Sequence, residues 1–180
     1  MNVSRSRAAQ LGRETVAILR AGYYTTPDGV RVDIADDLRR AVEGTIGYPP
    51  DASLPSLPAR DLLTHFEVAN ETTLQAAGRL AAKGMRVVAL NFASARHPGG
   101  GFLNGARAQE ESLCRSSGLY ACIAGNPMYA SHAGHTGGFY SHYAIYSPEV
   151  PVIRTDAGDL LPRPYLCSFI TCPAVNAGAA

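Results

Sequence analysis

The N-terminal part of the chain has helical spacing followed by a hairpin pattern. Over residues 4–21, apolar side chains recur every three or four positions, with Ser4 as a candidate N-cap and Gly22 as a stop, which predicts a helix. Residues 23–25 and 30–32 flank a Pro-Asp-Gly turn and predict a hairpin. A helix and a short two-stranded element are therefore expected in this region.

The middle of the chain predicts a helix, a long loop, and then a strand followed by a helix. Asp33 can cap a second helix that runs to about residue 43, and prolines punctuate a long loop over residues 47–60. A short strand is expected at residues 64–68 and a helix at residues 70–83. The apolar positions on one face of the second helix are Leu38, Ala41 and Val42.

The second half of the chain predicts further strands around one loop that carries polar residues. The continuous apolar run over residues 85–92 is typical of a buried parallel strand. A helix is expected over residues 109–123, a loop over residues 124–142, and strands at the following positions: 144–146, 152–154 and 166–171. This order predicts an α/β fold. The last strand reads as a central one with no helix after it, so we expect the chain to be cut inside its domain.

Composition bounds the possible classes of protein. The 180 residues suit one compact domain, or a domain with a subdomain, and 46 % apolar residues argue against disorder. A net charge of +1 provides no basic excess for binding DNA. No apolar stretch approaches the ~18 residues that a bilayer requires, so no membrane partner is expected.

Cysteine usage and the N-terminal sequence favour a reducing compartment. The first residues contain no apolar segment of the kind found in secretory signals, so we expect reduced thiols and a cytoplasmic location. No CxxC pair is present, which argues against a zinc site. The four cysteines are Cys114, Cys122, Cys167 and Cys172.

The candidate chemistry begins in a glycine loop at the carboxyl end of the apolar strand. Asn91 and Ser94 lead into three consecutive glycines, Gly99, Gly100 and Gly101. Glycines permit positive φ and a close approach to a bulky ligand, and their N–H groups can hold a diphosphate. The spacing differs from the GxGxxG fingerprint, and a flexible surface loop is the alternative interpretation.

A pair of glutamates follows the glycine loop. Gln109, Glu110 and Glu111 begin the next helical pattern, where acidic residues also serve simply as partners of the helix dipole. Neighbouring helical residues point about 100° apart, so the two carboxyls are expected to have different roles. A general acid needs a raised pKa, which requires burial against Phe92 or Phe102, or a bound diphosphate.

These segments resemble a known enzyme family. GGG, seven intervening residues and QEE, within NFASARHPGGGF and QEESLCRSSGLY, are similar to the signature of bacterial-type poly(ADP-ribose) glycohydrolases. The resemblance extends to YSPEVPVIR and CPAVNAG. It implies a macrodomain-like α/β fold with a mixed sheet between helices. The expected parts are an N-terminal helical extension at 1–62 and a catalytic core at 63–180, incomplete at its C-terminal end.

The resemblance also implies a role for each motif residue. Glu111 corresponds to the catalytic acid/base, and Glu110 to the residue that binds ribose hydroxyls and orients the scissile bond. Gln109 is expected to support the pair. The remaining predicted substrate-binding residues are Gly99, Gly100, Gly101, Asn91, Ser94 and Phe102. No metal or other cofactor is implied.

The expected reaction is hydrolysis of ribose–ribose O-glycosidic bonds in poly(ADP-ribose), with release of ADP-ribose by a monomer that reverses ADP-ribosylation, including that on proteins after DNA damage. Two alternatives stay open: an ADP-ribose-binding module without turnover, and an inactive fragment. A metal pair at His132 and His135 and a nucleophilic Cys114 are less favoured. One tyrosine can stack on adenine, although packing explains any single one. The tyrosines concerned are Tyr120, Tyr129, Tyr140, Tyr143 and Tyr146.

Overall fold

The computed structural model describes residues 3–54, 56, 63–134 and 137–175. Its helices are α1 (Arg5–Ala21), α2 (Ala35–Glu43), α3 (Thr73–Ala82), α4 (Gln109–Ser116), α5 (Leu119–Ile123) and α6 (Pro127–His132), with a 3-10 turn at Phe102–Asn104. Its strands are β1 (Tyr23–Thr25), β2 (Arg31–Asp33), β3 (Ile46–Tyr48), β4 (Val88–Ala93), β5 (Ala144–Arg154) and β6 (Leu160–Pro173).

The strands form a small hairpin and a four-stranded mixed sheet. Strands β1 and β2 pair antiparallel, and the larger sheet has the order β3-β5-β6-β4. Strand β4 runs parallel to β6, whereas β5 is antiparallel to both β3 and β6. The predicted mixed α/β architecture is confirmed, and the final long strand is central in the sheet as expected.

The N-terminal elements form for the local reasons that the sequence indicates. The Ser4 side chain accepts a hydrogen bond from the Arg7 N–H, and Gly22 ends α1 in the left-handed region at φ 77°. Asp33 accepts from the Ala35 N–H at 3.0 Å but lies one residue before the N-cap position. Of the apolar positions predicted on one face of α2, Leu38 and Ala41 are buried and Val42 is exposed.

Several boundaries differ from the predictions because pairing partners lie far away in sequence. The predicted strand at 64–68 was wrong, since residues 63–69 form no secondary structure. Residues 46–48, at the edge of the predicted loop, form β3 because they pair with β5. The two predicted strands at 144–146 and 152–154 are one strand, β5, interrupted by bulges.

The region after the glycine loop also differs from the prediction. The single helix expected over 109–123 is divided into α4 and α5 at Ser117, whose backbone pairs with Val152. The predicted loop over 124–142 contains α6, which is capped by the Asn126 side chain. Helices α4 and α5 pack against β5, and Met128 of α6 belongs to the same buried core cluster as Ile145 of β5.

Strand β4 is parallel, as predicted, but lies at the edge of the sheet and is not fully buried. Val88, Leu90 and Phe92 are 56 %, 43 % and 58 % exposed. Leu166 and Ile170 of β6 lie on the same partly exposed face. An unbroken apolar run therefore did not distinguish a strand buried on both faces from one buried on a single face.

The main core lies between the opposite face of the sheet and helices α3 to α6. Phe169, Ile145 and Val150 from the sheet pack there with Leu113 and Ile123. Helix α1 joins this core because Gly12 allows close contact with the Phe102 backbone and ring. The predicted boundary between the N-terminal helical extension and the catalytic core, at residue 62, falls outside the described residues. This domain boundary therefore stays a prediction.

The helices and cysteines of the described residues bear on membrane insertion and on disulfide formation. None of their helices has the length and apolarity needed to cross a membrane. All four cysteines are free thiols; Cys114, Cys122 and Cys167 are buried, and Cys172 is partly buried.

Candidate functional site

Strand β4 delivers Asn91 to the inner end of the candidate site. Asn91 is paired with Thr171 in the register of β4 and β6 and is fully buried. Its Nδ2 donates to the Thr171 hydroxyl at 3.2 Å and lies 3.5 Å from the Glu110 Oε1 atom. The parallel pairing of the two strands therefore fixes the amide next to the first glutamate.

The glycine loop has the positive φ values that the sequence predicted at two of its three positions. Gly99 has φ 74° and Gly100 has φ 55°, whereas Gly101 has φ −100° and needs no special backbone freedom. A β-carbon at Gly100 would overlap the Glu111 Oε1 atom. Gly100 is therefore required both by its own backbone and by the carboxyl beneath it.

The N–H groups of the glycine loop bind the glutamates. Gly99 donates to Glu110 Oε1 at 3.2 Å, and Gly101 donates to Glu111 Oε1 at 3.0 Å. Gly100 donates to the His97 carbonyl at 2.9 Å. The sequence predicted that these N–H groups hold a diphosphate, but a phosphate can bind them only if they release these acceptors. In this structure the N–H groups of Gly99 and Gly101 position the two carboxyls.

Glu110 joins the two ends of the loop. One carboxyl oxygen accepts from the Gly99 N–H, and the other accepts from the Ser94 N–H at 2.7 Å. Burial raises the pKa of Glu110 to about 7, although these two hydrogen bonds lower it, and the nearby Glu111 charge raises it further. The raised pKa thus falls on the residue that the sequence assigned to ribose binding.

Glu111 is held by one oxygen only. Its Oε2 atom is buried and has no hydrogen-bond partner, and the residue is 9 % exposed. Arg115, one turn further along α4, is a buried cation whose positive charge interacts with Glu111. Sequence analysis missed Arg115, although its spacing of four residues from Glu111 on a helix was a usable signal.

Gln109 attaches the start of α4 to the free edge of β4. Its Oε1 accepts from the Phe92 N–H at 2.8 Å, and its Nε2 donates to the Leu90 carbonyl at 2.7 Å. The same Nε2 lies 3.2 Å from the Thr73 hydroxyl. The Gln109 amide therefore supports the glutamate pair by linking α4 to the strand. The contact with substrate that the sequence predicted would require the amide to break these hydrogen bonds.

Phe102 and Ser94 occupy different surroundings. Phe102 is 1 % exposed and packs against Tyr120 with ring centroids 4.9 Å apart, below Gly99. This burial does not fit the predicted contact of Phe102 with substrate; the ring supports the loop. The Ser94 hydroxyl accepts from the His97 N–H at 3.1 Å and shapes the entry to the loop.

Tyr129, on α6, lies close enough to Glu110 for the charge of that carboxyl to affect its pKa. Its hydroxyl is buried without a hydrogen-bond partner, and the charges of Glu110 and Cys114 interact with it. Burial, together with the charges of Glu110 and Glu111, raises the pKa of the Cys114 thiol well above its usual range, which does not favour a nucleophilic thiolate. The sequence named Tyr129 only as one of five tyrosines.

The described residues offer no other chemical site of the kinds considered from the sequence. They contain no group of three potential metal ligands, and His135 of the proposed histidine pair lies outside them. A cavity of about 570 Å³ between α3 and the ends of β5 and β6 is lined by residues that include Arg79, Arg154 and Asp156, and neither Glu110 nor Glu111 lines it. The site therefore rests on the glycine loop and α4.

The mixed sheet and the paired glutamates beneath a glycine loop define a macrodomain-like α/β protein. The sequence model of the microbial-type PARG catalytic domain, PARG being poly(ADP-ribose) glycohydrolase, matches residues 12–155. The chain belongs to this family. A comparison with curated proteins gave no match.

Solved structures of bacterial members are similar to this chain. The enzyme from Thermomonospora curvata has 49 % identity and a TM-score of 0.89, over 96 % of this chain and 65 % of that chain. A structure of the enzyme from that organism bound to the inhibitor ADP-HPD has 48 % identity and a TM-score of 0.86, over 96 % and 64 %. The Deinococcus radiodurans enzyme in complex with ADP-ribose has 42 % identity and a TM-score of 0.70, over 79 % and 60 %. This chain thus spans less than two thirds of the length of these relatives.

Proposed function

We propose that the chain hydrolyses ribose–ribose O-glycosidic bonds of poly(ADP-ribose) and releases ADP-ribose. The observation that carries the proposal is the placement of two adjacent, buried carboxyls, Glu110 and Glu111, beneath the glycine backbone. Membership in the microbial-type family and the ADP-ribose complex of the Deinococcus radiodurans relative support the same substrate class.

Glu111 is the acid/base in this proposal. The Gly101 N–H holds its Oε1, whereas its Oε2 is buried without a hydrogen-bond partner. In this proposal Oε2 is the reacting oxygen, and the groups that cover it move when substrate binds. The carboxyl donates a proton to the departing ribose oxygen while the other ribose develops oxocarbenium character. It then accepts a proton from the attacking water, which restores the acid.

Glu110 orients the scissile bond and binds ribose hydroxyls. Its two oxygens are held by the N–H groups of Ser94 and Gly99, which fixes the carboxyl before a sugar arrives. Its pKa of about 7 keeps a proton on Glu110 into the neutral range. A protonated carboxyl can donate to a hydroxyl, and an ionised one can accept from it.

The glutamate pair provides carboxyls on one side of the bond only. Ordinary glycosidases place two carboxyls on opposite sides, roughly 5 to 9.5 Å apart. Glu110 and Glu111 both contact the space at Gly100, so a flanking carboxyl on the opposite side is not supplied by this pair. In the proposed reaction the diphosphate of the substrate positions the water and stabilises the developing positive charge.

A second candidate function is ADP-ribose binding without turnover. The observation that favours it is that the Deinococcus radiodurans relative forms a complex with ADP-ribose, which requires binding but not turnover. The two candidates differ in what happens to a polymer, because both bind the terminal ADP-ribose but only the hydrolase shortens the chain. The third possibility, a fragment that does not fold, predicts that no cooperative thermal transition is observed.

The test is a comparison of the chain with its Glu111→Gln variant on protein that carries poly(ADP-ribose). Hydrolysis by the parent chain and loss of at least about 100-fold in the variant are expected, since the acid/base is removed. Calorimetry with ADP-ribose should give similar affinities for both proteins. Binding without polymer cleavage by the parent supports the second candidate, and equal cleavage by both proteins refutes the role of Glu111.

The cellular setting is a separate proposal from the reaction. We propose a cytoplasmic monomer that reverses ADP-ribosylation on modified proteins, as part of the response to DNA damage. The near-neutral net charge of +1 supports recognition through the ADP-ribose group and not through DNA. Fractionation of cells and light scattering of the purified chain test the location and the oligomeric state.

A further inference from the structure

Three side chains form a buried hydrogen-bonded row that joins strands β6 and β4 to helix α4. Thr171 of β6 and Asn91 of β4 are both 0 % exposed, and Glu110 of α4 is 3 % exposed. The Asn91 Nδ2 donates to the Thr171 hydroxyl oxygen at 3.2 Å and to the Glu110 Oε1 at 3.5 Å. Because Asn91 has no exposed surface, the ribose contact that the sequence predicted for it does not occur without a rearrangement.

The two amide hydrogens of Asn91 have separate acceptors. An amide nitrogen carries two hydrogens, so one is directed to Thr171 and the other to Glu110. Asn91 and Thr171 are Cα partners in the parallel pairing of β4 and β6, which places the hydroxyl directly beside the amide. The Asn91 Oδ1 is buried without a hydrogen-bond partner. Within the described residues, the Asn91 side chain therefore makes its hydrogen bonds through Nδ2 alone.

We propose that Thr171 is a positioning residue for Glu110, because its hydroxyl holds the Asn91 amide where Nδ2 donates to the ionised Glu110 carboxylate. If the amide were turned so that Oδ1 faced Oε1, two acceptors would meet, which is unfavourable when Glu110 is ionised. The donor contact therefore belongs to the ionised carboxylate. This role rests on the proposed hydrolase function only for its effect on turnover, since the ionisation of Glu110 is a property of the protein alone.

Three donors oppose the effect of burial on Glu110. Burial raises the pKa of this carboxyl to about 7, and hydrogen bonds from the Ser94 N–H, the Asn91 amide and the Gly99 N–H lower it. Of these three donors, only the Asn91 amide belongs to a side chain. It is therefore the donor that a substitution can remove without altering the backbone of the glycine loop.

The titratable groups around Glu110 lie on two helices and on the loop. Glu111 and Cys114 belong to α4, and Tyr129 belongs to α6. Glu111 raises the Glu110 pKa, whereas burial raises the pKa of the thiol and of the phenol and so keeps both neutral near pH ~7. His97 leads into the glycine loop, where its backbone makes hydrogen bonds. The amide and the hydroxyl of the proposed pair do not titrate, so their substitution changes no charge.

The experiment measures the ionisation of Glu110 directly. Carboxyl carbons are labelled with ¹³C-glutamate, the Glu110 signal is assigned with Glu110→Gln, and its midpoint is compared in the full chain, Thr171→Val and Thr171→Ser. Valine keeps the shape of threonine without the hydroxyl, whereas serine keeps the hydroxyl. Thr171→Val should raise the Glu110 midpoint by roughly half a pH unit, and Thr171→Ser should leave it near the parent value.

A second substitution tests whether Thr171 acts through Asn91. Asn91→Leu removes the donor and keeps the branched shape of the side chain, so the Glu110 midpoint should rise by roughly half to one unit. Adding Thr171→Val to Asn91→Leu should raise the midpoint no further, because the amide that the hydroxyl holds is already gone. In the full chain without substitutions, the ¹⁵N signal of the Asn91 side chain should shift with the Glu110 midpoint.

A matched control separates this effect from the loss of any buried threonine hydroxyl. Thr26 follows β1, is 5 % exposed, and accepts from the Val30 N–H at 3.1 Å through its hydroxyl. Thr26→Val should lower the melting temperature and leave the Glu110 midpoint unchanged. If Thr171→Val fails to fold, the Asn91 ¹⁵N titration in the unsubstituted chain decides the contact with Glu110, and Thr171→Ala, which leaves room at the hydroxyl site, should raise the midpoint as valine does.

The outcomes separate this proposal from the proposed function. A Thr171→Val midpoint that stays within about 0.1 unit of the parent value, or that falls, overturns the role of Thr171. Additive shifts in the double variant, or an Asn91 ¹⁵N signal that does not follow the Glu110 titration, also overturn it. The NMR titrations need no turnover, so a chain without hydrolytic activity still decides the question. Where turnover is measured, the pH–rate limb that belongs to Glu110 should move with the midpoint.

Discussion

The Oε1 atom of Glu111 accepts a hydrogen bond of 3.0 Å from the backbone N–H of Gly101. The glycine loop and the glutamate pair, which are separated by seven residues in sequence, are thereby joined at the atomic level. The other carboxyl oxygen stays unpaired in a buried position. Because this second oxygen is buried, a sugar oxygen can reach it only when the groups that cover it move.

Gly100 is predicted to be the least replaceable of the three glycines. An alanine at Gly100 has a positive φ and overlaps the Glu111 carboxyl, so Gly100→Ala should cost about 2 kcal/mol or more of stability and reduce ADP-ribose binding. Gly29 shares the positive φ but has open space around it. Gly29→Ala is therefore the control, and about 1 kcal/mol is expected. Equal losses in urea unfolding and unchanged binding for both variants would contradict the assigned contact.

The stability of the chain should fall as the pH rises through the pKa of Glu110. The folded-state pKa of about 7 exceeds the ordinary value of 4.5, so the folded state binds a proton that the unfolded state has lost. This contribution is fully present below pH ~4.5 and is lost as the pH rises through ~7, and it amounts to about 3 kcal/mol at most.

Urea unfolding between pH 5 and pH 8 (roughly the range over which Glu110 titrates) measures this dependence. Glu110→Gln should flatten it, because glutamine does not titrate. Glu43 lies on the exposed side of α2, and Glu43→Gln should preserve the slope. An unchanged slope in Glu110→Gln would mean that Glu110 is ionised throughout the range.

Gln109 is predicted to contribute to the stability of the fold as well as to the glutamate site. Gln109→Ala removes the partners of the Leu90 carbonyl and the Phe92 N–H, which water can partly replace at the sheet edge, so a loss of about 1 kcal/mol is expected. Gln10 makes one exposed hydrogen bond to Glu14, and Gln10→Ala serves as the control with little change. Faster amide hydrogen exchange at Phe92 in Gln109→Ala is the local measurement, and protected exchange there would contradict the assignment.

Local signals in the sequence sufficed for much of the fold. The serine cap and the glycine stop predicted both ends of α1, because these depend on residues within one turn. The proximity of the glycine loop to the glutamates was also predictable, since the motif is short. The acceptor of each glycine N–H group could not be predicted. A backbone carbonyl, a glutamate carboxyl and a bound ligand are all possible acceptors for the same N–H group.

Features that depend on distant partners could not be predicted in this way. Residues 46–48 become β3 through pairing with β5, about 100 positions further along the chain. The edge position of β4 depends on which strands pair with it. The apolar pattern of a strand does not indicate how many neighbouring strands it has. Tyr129 belongs to another helix, and only tertiary packing brings it near enough for the charge of Glu110 to affect its pKa.

The most direct test of the account is a crystal structure of the chain with ADP-ribose bound. The account predicts that the diphosphate lies along the Gly99–Gly101 loop and that the distal ribose lies within hydrogen-bond distance of the Glu110 carboxyl and of Glu111 Oε2. A nucleotide bound elsewhere on the chain, with the Glu111 carboxyl remote from any sugar, would contradict the central claim.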